Sequence, residues 1–231
     1  MPMTSPGRVL VTGGASGLGA AVVAAVRAGG GTPIVVDRDI ADVQDAAAYQ
    51  ADVADADVVA DTVARAIADA GGLDAVVTAA GIDRPGALED VSWAEWERVV
   101  LVNLMGTVST VRSALPALRA SRGRVVTVAS TLALKGASDA TAYCASKFGV
   151  LGFTQALAAE LKGEVGVTQL IPGGMRTRFF DDRTEQYRPA DDASLNDPAH
   201  VADAVLFALT QPAGCEVREL FIAHADEPSW P

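Results

Sequence analysis

Ser130, Tyr143 and Lys147 have side chains that can move a proton, and they lie within one short stretch of sequence. Tyr143 and Lys147 are one helical turn apart, so a helix places both on the same face. Ser130 ends an apolar run that predicts a buried strand. A free tyrosine has a pKa of roughly 10, and an adjacent ammonium is expected to lower it. The predicted chemistry is proton exchange with an alcohol or alkoxide; the alternative is a chance pair on a surface helix.

A glycine-rich turn follows the first predicted strand, Val9–Val11. The turn carries Gly13, Gly17 and Gly19 and leads into a helical run. Strand, glycine turn and helix together bind phosphate, because glycines let a pyrophosphate approach the backbone at the helix N-terminus. The spacing G-x-x-x-G-x-G differs from the commoner dinucleotide fingerprint. A turn that only packs strand against helix is the alternative.

An acidic residue, Asp37, ends the second predicted strand, Pro33–Val36. It falls close to the roughly 20-residue distance after the turn at which a carboxylate binds an adenosine ribose. A carboxylate there would repel a 2′-phosphate, which favours NAD over NADP. Arg38 could accommodate that phosphate, so NADP stays the alternative. Asp37 could also be only a polar residue in a turn.

Predicted strands and helices alternate along residues 1–231, which indicates a single α/β domain with a doubly wound, mainly parallel sheet. Ligands of such sheets bind outside the carboxyl ends of the strands. Asn103 interrupts an apolar helical run and needs hydrogen-bond partners if it is buried; a bend in the helix is the alternative. Strands are predicted over 9–11, 33–36, 48–53, 73–78, 124–130, 165–171 and 217–223, and helices over 20–28, 55–70, 92–102, 107–120, 142–162 and 197–211.

Composition excludes several classes of partner. Half of the 231 residues are apolar and the net charge is −11, which argues against nucleic acid or an anionic membrane as the main partner. Cys144, Cys215, His200 and His224 are isolated from one another, so we expect no metal site. The N-terminus has no apolar signal segment, and no apolar run approaches the roughly 18 residues that span a bilayer. We therefore expect a cytoplasmic protein with a small-molecule substrate.

Over nearly its whole length the sequence resembles the single-domain branch of the short-chain dehydrogenase/reductase family. The resemblance implies a Rossmann-like domain with a mainly parallel seven-stranded sheet. It also implies hydride transfer between a nicotinamide cofactor and a secondary alcohol or ketone. The motifs that carry the resemblance occur in the family's order: Thr12-Gly13-x-x-x-Gly17-x-Gly19, Asp52, Ala80-Gly81, Asn103, Ser130, Tyr143-x-x-x-Lys147, Pro172-Gly173 and Thr177.

The resemblance implies a role for each catalytic candidate. Tyr143 is expected as the general acid/base, and Lys147 as the residue that lowers its pKa and holds the nicotinamide ribose. Ser130 would orient the substrate oxygen, and Asn103 would position a water that links Lys147 to solvent.

The resemblance also implies a cofactor site. The glycine turn would hold the pyrophosphate, Asp37 the ribose, and Asp52 with Val53 the adenine, while the turn after the sixth strand would fix the nicotinamide carboxamide. Ala79 stands where family members usually have asparagine, so one hydrogen bond near the adenosine is expected to be missing. The cofactor-binding candidates are Gly13, Ser16, Gly17, Leu18, Gly19, Asp37, Arg38, Asp52, Val53, Ala79, Ala80, Gly81, Tyr143, Lys147, Pro172, Gly173, Met175 and Thr177.

A polar, aromatic-bearing stretch, residues 178–196, is expected to form a short lid over the substrate. The candidate pocket residues favour a partly apolar substrate, such as a 3-oxoacyl thioester, a small hydroxy-ketone or a steroid, with sugars also considered. Each of them could instead belong to the core. They are Leu132, Leu134, Met175, Phe179, Phe180 and Tyr187.

By the same resemblance we expect a homotetramer or homodimer that associates through the helices over 107–120 and 142–162. The alternative function is a nucleotide-binding regulatory or scaffold protein that keeps the fold and has lost catalysis. The intact Ser130, Tyr143 and Lys147 argue against that alternative.

Overall fold

Seven parallel strands form one sheet at the centre of the protein. The computed structural model describes residues 5–189 and 194–227. Its strands are β1 (Arg8–Thr12), β2 (Thr32–Asp37), β3 (Ala47–Gln50), β4 (Ala75–Thr78), β5 (Arg124–Val128), β6 (Gly166–Pro172) and β7 (Glu219–Ile222). The order in the sheet is β3-β2-β1-β4-β5-β6-β7. The predicted doubly wound α/β fold is confirmed, and every pairing is parallel.

Helices cover both faces of this sheet. The α-helices are α1 (Gly17–Ala28), α2 (Ala56–Ala70), α3 (Trp93–Val100), α4 (Gly106–Ser121), α5 (Thr141–Glu160) and α6 (Pro198–Leu209). A π-helical turn, Leu101–Met105, joins α3 to α4, and short 3₁₀ turns cover Thr131–Ala133, Arg178–Phe180 and Glu185–Tyr187. α1 packs against α6, and α2 packs against α4.

The strands are apolar on both faces because helices cover both faces. Along β1, Leu10 faces the cluster that α2 and α4 complete, whereas Val9 and Val11 face the cluster completed by α1 and α6. All three of these side chains are fully buried. The alternation follows from the two-residue period of a strand, and it determines which face of the sheet each side chain packs on.

Three helix ends are capped by residue types that favour these positions. The Ser92 hydroxyl accepts from the Glu95 N–H and donates to the Glu95 carboxylate, and it thereby caps the start of α3. Asp197 accepts from the Ala199 N–H at the start of α6. Gly71 ends α2 with a φ of 69°, the left-handed conformation that glycine adopts readily.

Two predicted strands end at least two residues earlier than expected. The strand predicted over 48–53 ends at Gln50, because the Asp52 side chain accepts from the Ala54 N–H and turns the chain toward α2. The strand predicted to reach Ser130 ends at Val128. Ser130 instead accepts from the Leu132 N–H and caps the following 3₁₀ turn. Both departures place polar side chains just beyond the sheet.

The continuous helical stretch Trp93–Ser121 has 29 residues and is apolar enough, by length and composition alone, to cross a membrane. Within the described part of the chain its α3 portion packs against α5 and its α4 portion against α2 and β4. A core helix of a globular protein passes the same test, and the packing supports that interpretation here.

Candidate active site

The carboxyl ends of the central strands border a cavity of about 450 Å³. The strand order reverses between β1 and β4, and such a reversal opens a crevice for ligands. Every residue that we predict to bind the cofactor lines this cavity, and so does Ser130. The structure therefore brings the glycine turn and Asp37 together with the Tyr143–Lys147 pair, which lies more than 100 residues further along the sequence.

The glycine turn is shaped by contacts that leave no room for side chains. Gly13 has a φ of 71°, and a Cβ there would lie 2.7 Å from the backbone of Ala80. A Cβ on Gly19 would collide with the carbonyl of Gly13. Asp37 accepts from the Ala15 N–H at 3.0 Å and so ties the turn to the end of β2. The bare backbone at the start of α1 fits the pyrophosphate of a dinucleotide.

Asp52 forms an ion pair that the sequence did not reveal. The Arg98 guanidinium on α3 lies 2.6 Å from the Asp52 carboxylate. Partial burial raises the pKa of Asp52, but the hydrogen bonds from Arg98 and Ala54 together bring that pKa below its ordinary value. Arg98 also lines the cavity. The predicted adenine end is therefore bordered by a fixed charge pair.

Asn103 does not line the cavity but lies fully buried behind it in the π-helical turn. Its Oδ1 accepts from the Ile82 N–H at 2.8 Å, and its Nδ2 donates to the Ile82 carbonyl and to the Ser146 hydroxyl. The helix is distorted at this residue, and its amide is also fully engaged. The role in positioning a water stays a prediction.

Lys147 is buried on the inner face of α5. Its Nζ donates to the Val128 carbonyl at 2.8 Å and lies 5.6 Å from the centre of the Tyr143 ring. Burial lowers the pKa of this ammonium to about 8. A Cβ on Gly81 would lie 3.7 Å from the same Nζ, so the glycine leaves space beside the ammonium.

Tyr143 departs from the predicted acidity. Burial raises the pKa of its phenol to about 12, and this effect outweighs the hydrogen bond from Ser130 and the charge of Arg183, both of which lower it. Lys147 does not offset the burial, because its Nζ bonds to the strand carbonyl and stands off the ring. The expectation that Lys147 makes the phenol acidic is therefore wrong for the protein without ligands. At neutral pH the phenol keeps its proton.

Four of the six expected pocket residues line the cavity, and two of these four belong to the predicted lid. Leu132, Met175, Phe179 and Phe180 line the cavity, whereas Leu134 and Tyr187 do not. Leu134 is exposed to solvent. The Tyr187 hydroxyl donates to Asp139 outside the cavity. Residues 190–193 of the predicted lid lie outside the described residues.

Several residues of the cavity were missed from the sequence. Glu227, near the end of the chain, accepts from the Gly174 N–H at 3.0 Å and lines the cavity. Arg183 of the predicted lid also lines it, and it pairs with Asp83 after β4. The sequence could have indicated Asp83 as a candidate site residue, because it follows soon after the end of a predicted strand. Over residues 5–189 and 194–227 no group of three or more His, Cys, Asp or Glu side chains is placed to hold a metal ion.

Three features together define a class of dinucleotide-binding proteins. They are the parallel sheet with this strand order, the glycine turn at the start of α1, and a serine, a tyrosine and a lysine at one cavity. The family profile described as short chain dehydrogenase matches residues 7–188. The chain belongs to the short-chain dehydrogenase/reductase family and is an oxidoreductase of that family.

Relatives and solved structures agree with this assignment. An uncharacterized oxidoreductase of Staphylococcus aureus (strain MW2) is 33% identical over 92% of this chain and 95% of its own. The D-beta-hydroxybutyrate dehydrogenase of Cupriavidus necator is 35% identical over 76% of this chain and 73% of its own. A short chain dehydrogenase from Burkholderia cenocepacia J2315, solved in complex with NADP, is 28% identical with a TM-score of 0.84, covering 95% of this chain and 97% of its own.

Burial of Lys147 predicts a pH-dependent stability. Its folded pKa is about 8 against 10.5 when exposed, so between these values the unfolded chain binds more protons and stability rises with pH. The cost of burying the ammonium is present in full below pH 8. Replacing Lys147 by methionine removes that cost. The free energy of unfolding of Lys147→Met relative to the wild type should therefore fall by about 3 kcal/mol as the pH rises from about 8 to 10.5.

Urea unfolding of the wild type and Lys147→Met between pH 7 and pH 10.5 measures this difference. Lys162→Met is the control, because Lys162 lies exposed just beyond α5, and its difference from the wild type should stay flat. A flat difference for Lys147→Met as well would show that the ammonium is not strained by burial.

Proposed function

We propose that the protein is an NAD-dependent oxidoreductase that interconverts a secondary alcohol and a ketone. The observation that carries this proposal is the shared cavity, in which Ser130, Tyr143 and Lys147 face the space beyond the glycine turn. Family membership supports it. The phenol, hydroxyl and ammonium then serve a reaction in which an oxygen gains or loses a proton.

A bound nicotinamide would supply or accept the hydride. Ser130 is held by the Leu132 N–H, and its hydroxyl bonds to Tyr143, so a substrate oxygen would be placed between two hydroxyl groups. The neutral phenol of Tyr143 would protonate the oxygen of a ketone as it is reduced. Lys147 stays an ammonium below about pH 8 and would hold ribose hydroxyls while it stabilises negative charge near the phenol.

A partly apolar substrate is proposed from the lining of the cavity. Leu132, Met175, Phe179 and Phe180 supply aliphatic and aromatic surface close to Tyr143. One relative is named for action on D-beta-hydroxybutyrate, which is itself a secondary alcohol. A short hydroxy acid or small hydroxy-ketone is therefore the first substrate to test, before 3-oxoacyl and steroid-like compounds.

Replacement of Tyr143 by phenylalanine tests the proposed chemistry. The variant keeps the ring packing on Phe179 but loses the proton, so turnover should fall about 10²–10⁴-fold while NADH binding is kept. Tyr49→Phe is the control, since Tyr49 lies in the edge strand β3, outside the cavity, and its hydroxyl bonds to the exposed Asp69 of α2. Nicotinamide absorbance across a panel of alcohols and ketones gives the rates.

Unchanged turnover in Tyr143→Phe would refute the assigned mechanism. NADH binding without turnover of any compound by the wild type would instead favour the catalytically silent, nucleotide-binding alternative.

The choice of NAD rests on Asp37, whose carboxylate lines the cavity and would repel a 2′-phosphate. Arg38 lines the same region, and a similar structure contains NADP, so NADP remains the alternative. We expect the wild type to bind NADH more tightly than NADPH. Asp37→Asn should tighten NADPH binding about tenfold, since it removes one charge repulsion and keeps an oxygen for the Ala15 N–H.

Paired fluorescence titrations with NADH and NADPH measure both affinities. Arg38→Gln is the matched comparison and should weaken NADPH alone. A wild type that prefers NADPH, or an Asp37→Asn variant that gains nothing for it, would reverse the assignment.

We further propose that the protein forms a homodimer or homotetramer through α4 and α5. Met105 before α4 and Phe148 on α5 are 48% and 44% exposed, and large exposed apolar side chains often mark interfaces. Light scattering should give a multiple of the 23.7 kDa chain. Phe148→Glu should lower that mass, whereas Val58→Glu on α2 should not; a monomeric wild type would contradict the proposal.

A further inference from the structure

An ion pair fastens the segment Arg178–Tyr187 to the frame of the site. The Nη2 of Arg183 lies 2.7 Å from the Oδ2 of Asp83, and the two side chains are only 16% and 5% exposed. Asp83 directly follows Ile82, whose backbone N–H and carbonyl are both bound by Asn103. The carboxylate is therefore held on a fixed backbone and binds the segment through the Arg183 guanidinium. A second bond of the segment, from the Tyr187 hydroxyl to Asp139, lies outside the cavity.

The same guanidinium stacks on the aromatic rings of its own segment. The Cζ of Arg183 lies 5.2 Å from the centre of the Phe179 ring and 4.6 Å from that of Phe180. The Phe179 ring in turn packs at 5.8 Å on the ring of Tyr143. A continuous set of contacts therefore joins Asp83 to the phenol, and a shift of Arg183 would move the surface that covers it.

The buried Asp83–Arg183 pair is not expected to contribute much to the stability of the fold. Burial raises the pKa of Asp83 and lowers that of Arg183, so their surroundings disfavour both charges. The Nε of Arg183 is buried with no hydrogen-bond partner in the described part of the chain. Apolar residues of similar size are often as stabilising as such a buried pair, which points to a role beyond holding the segment in place.

We infer that Asp83 and Arg183 are positioning residues of this enzyme, whose ion pair holds the Arg178–Tyr187 segment over Tyr143 and itself adds almost no net charge beside the phenol. The inference rests on the proposed role of Tyr143 in proton transfer. It adds a charge pair that lies outside the Ser130, Tyr143 and Lys147 set and that approaches the phenol from two other segments.

Loss of either partner should affect the phenol with opposite sign. Asp83 raises the pKa of Tyr143, and Arg183 lowers it. The other groups that face the phenol are Ser130, Cys144 and Lys147, and they are the same in both variants. Arg183→Gln leaves a lone carboxylate near the phenol, whereas Asp83→Asn leaves a lone guanidinium.

The test is the pH dependence of alcohol oxidation by the holoenzyme, with NAD and the best alcohol from the substrate panel. Oxidation needs the phenol to lose its proton, so the profile of kcat/KM should shift by about one pH unit to the alkaline side in Arg183→Gln and to the acid side in Asp83→Asn. The double variant should return the profile to within a few tenths of a unit of the wild type. Both single variants should also lose about 10- to 100-fold in kcat/KM through poorer positioning.

Arg84→Gln is the matched control. It removes the same charge from the neighbour of Asp83, but Arg84 is exposed to solvent, where water and salt screen its field. Its profile should match that of the wild type. Shifts in the same direction for Arg183→Gln and Asp83→Asn, or none, would overturn the inference even where Tyr143→Phe abolishes turnover.

Hydrogen exchange of residues 178–189 gives a readout that does not need activity. The amide of Arg183 donates to the Phe180 carbonyl, and that of Tyr187 to the Thr184 carbonyl; both should exchange about tenfold faster in Asp83→Asn and stay protected in Arg84→Gln. This result would stand if Tyr143→Phe proved active and the proposed function failed. If Arg183→Gln does not fold, Arg183→Lys replaces it. This variant keeps the charge, so it should show faster amide exchange with an unshifted pH profile. Unchanged exchange in Asp83→Asn or in the folded Arg183 variant would refute the proposal that the ion pair holds the segment.

Discussion

The hydrogen bonds of one buried amide connect the segments on which the site depends. Asn103 lies in the π-helical turn between α3 and α4, binds both backbone groups of Ile82 after β4, and donates to Ser146 on α5. Ser146 lies between Tyr143 and Lys147 and donates to the Tyr143 carbonyl. An unpartnered amide in this fully buried position would cost about 1–3 kcal/mol, so the three segments are held in one arrangement.

Burial controls the acidity of the site more than attraction between its charges does. The phenol of Tyr143 and the ammonium of Lys147 both lose water, which raises one pKa to about 12 and lowers the other to about 8. Each shift favours the neutral form of its group. In the protein without ligands the phenol of Tyr143 is therefore protonated at neutral pH.

Local patterns in the sequence were enough to predict much of the fold and the residues that line the glycine-turn side of the cavity. The strand, the glycine turn and α1 are contiguous, and the i to i+4 spacing of Tyr143 and Lys147 needs only a helix. The pairs Asp52–Arg98 and Asp83–Arg183 could not be predicted in this way. Their partners are brought together by the tertiary fold, and no spacing rule relates a residue after β4 to one after β6. The pKa of Tyr143 was mispredicted for the same reason, since burial is not visible in a sequence.

The acidic residues of the two pairs that the sequence did not reveal lie in the same kind of position as the residues that it did. Asp52 and Asp83 both follow the carboxyl end of a strand, at the edge where the sheet presents its loops. The Asp83 carboxylate is buried there, so a cation from a distant segment favours its charged form, whereas the Asp52 carboxylate stays partly exposed. Arg98 and Arg183 supply those cations from α3 and from the segment after β6. Asn103 binds the backbone of Ile82 next to Asp83 and also donates to Ser146 on α5. The same buried amide therefore helps to position both Tyr143 and the segment whose Phe179 ring packs on it.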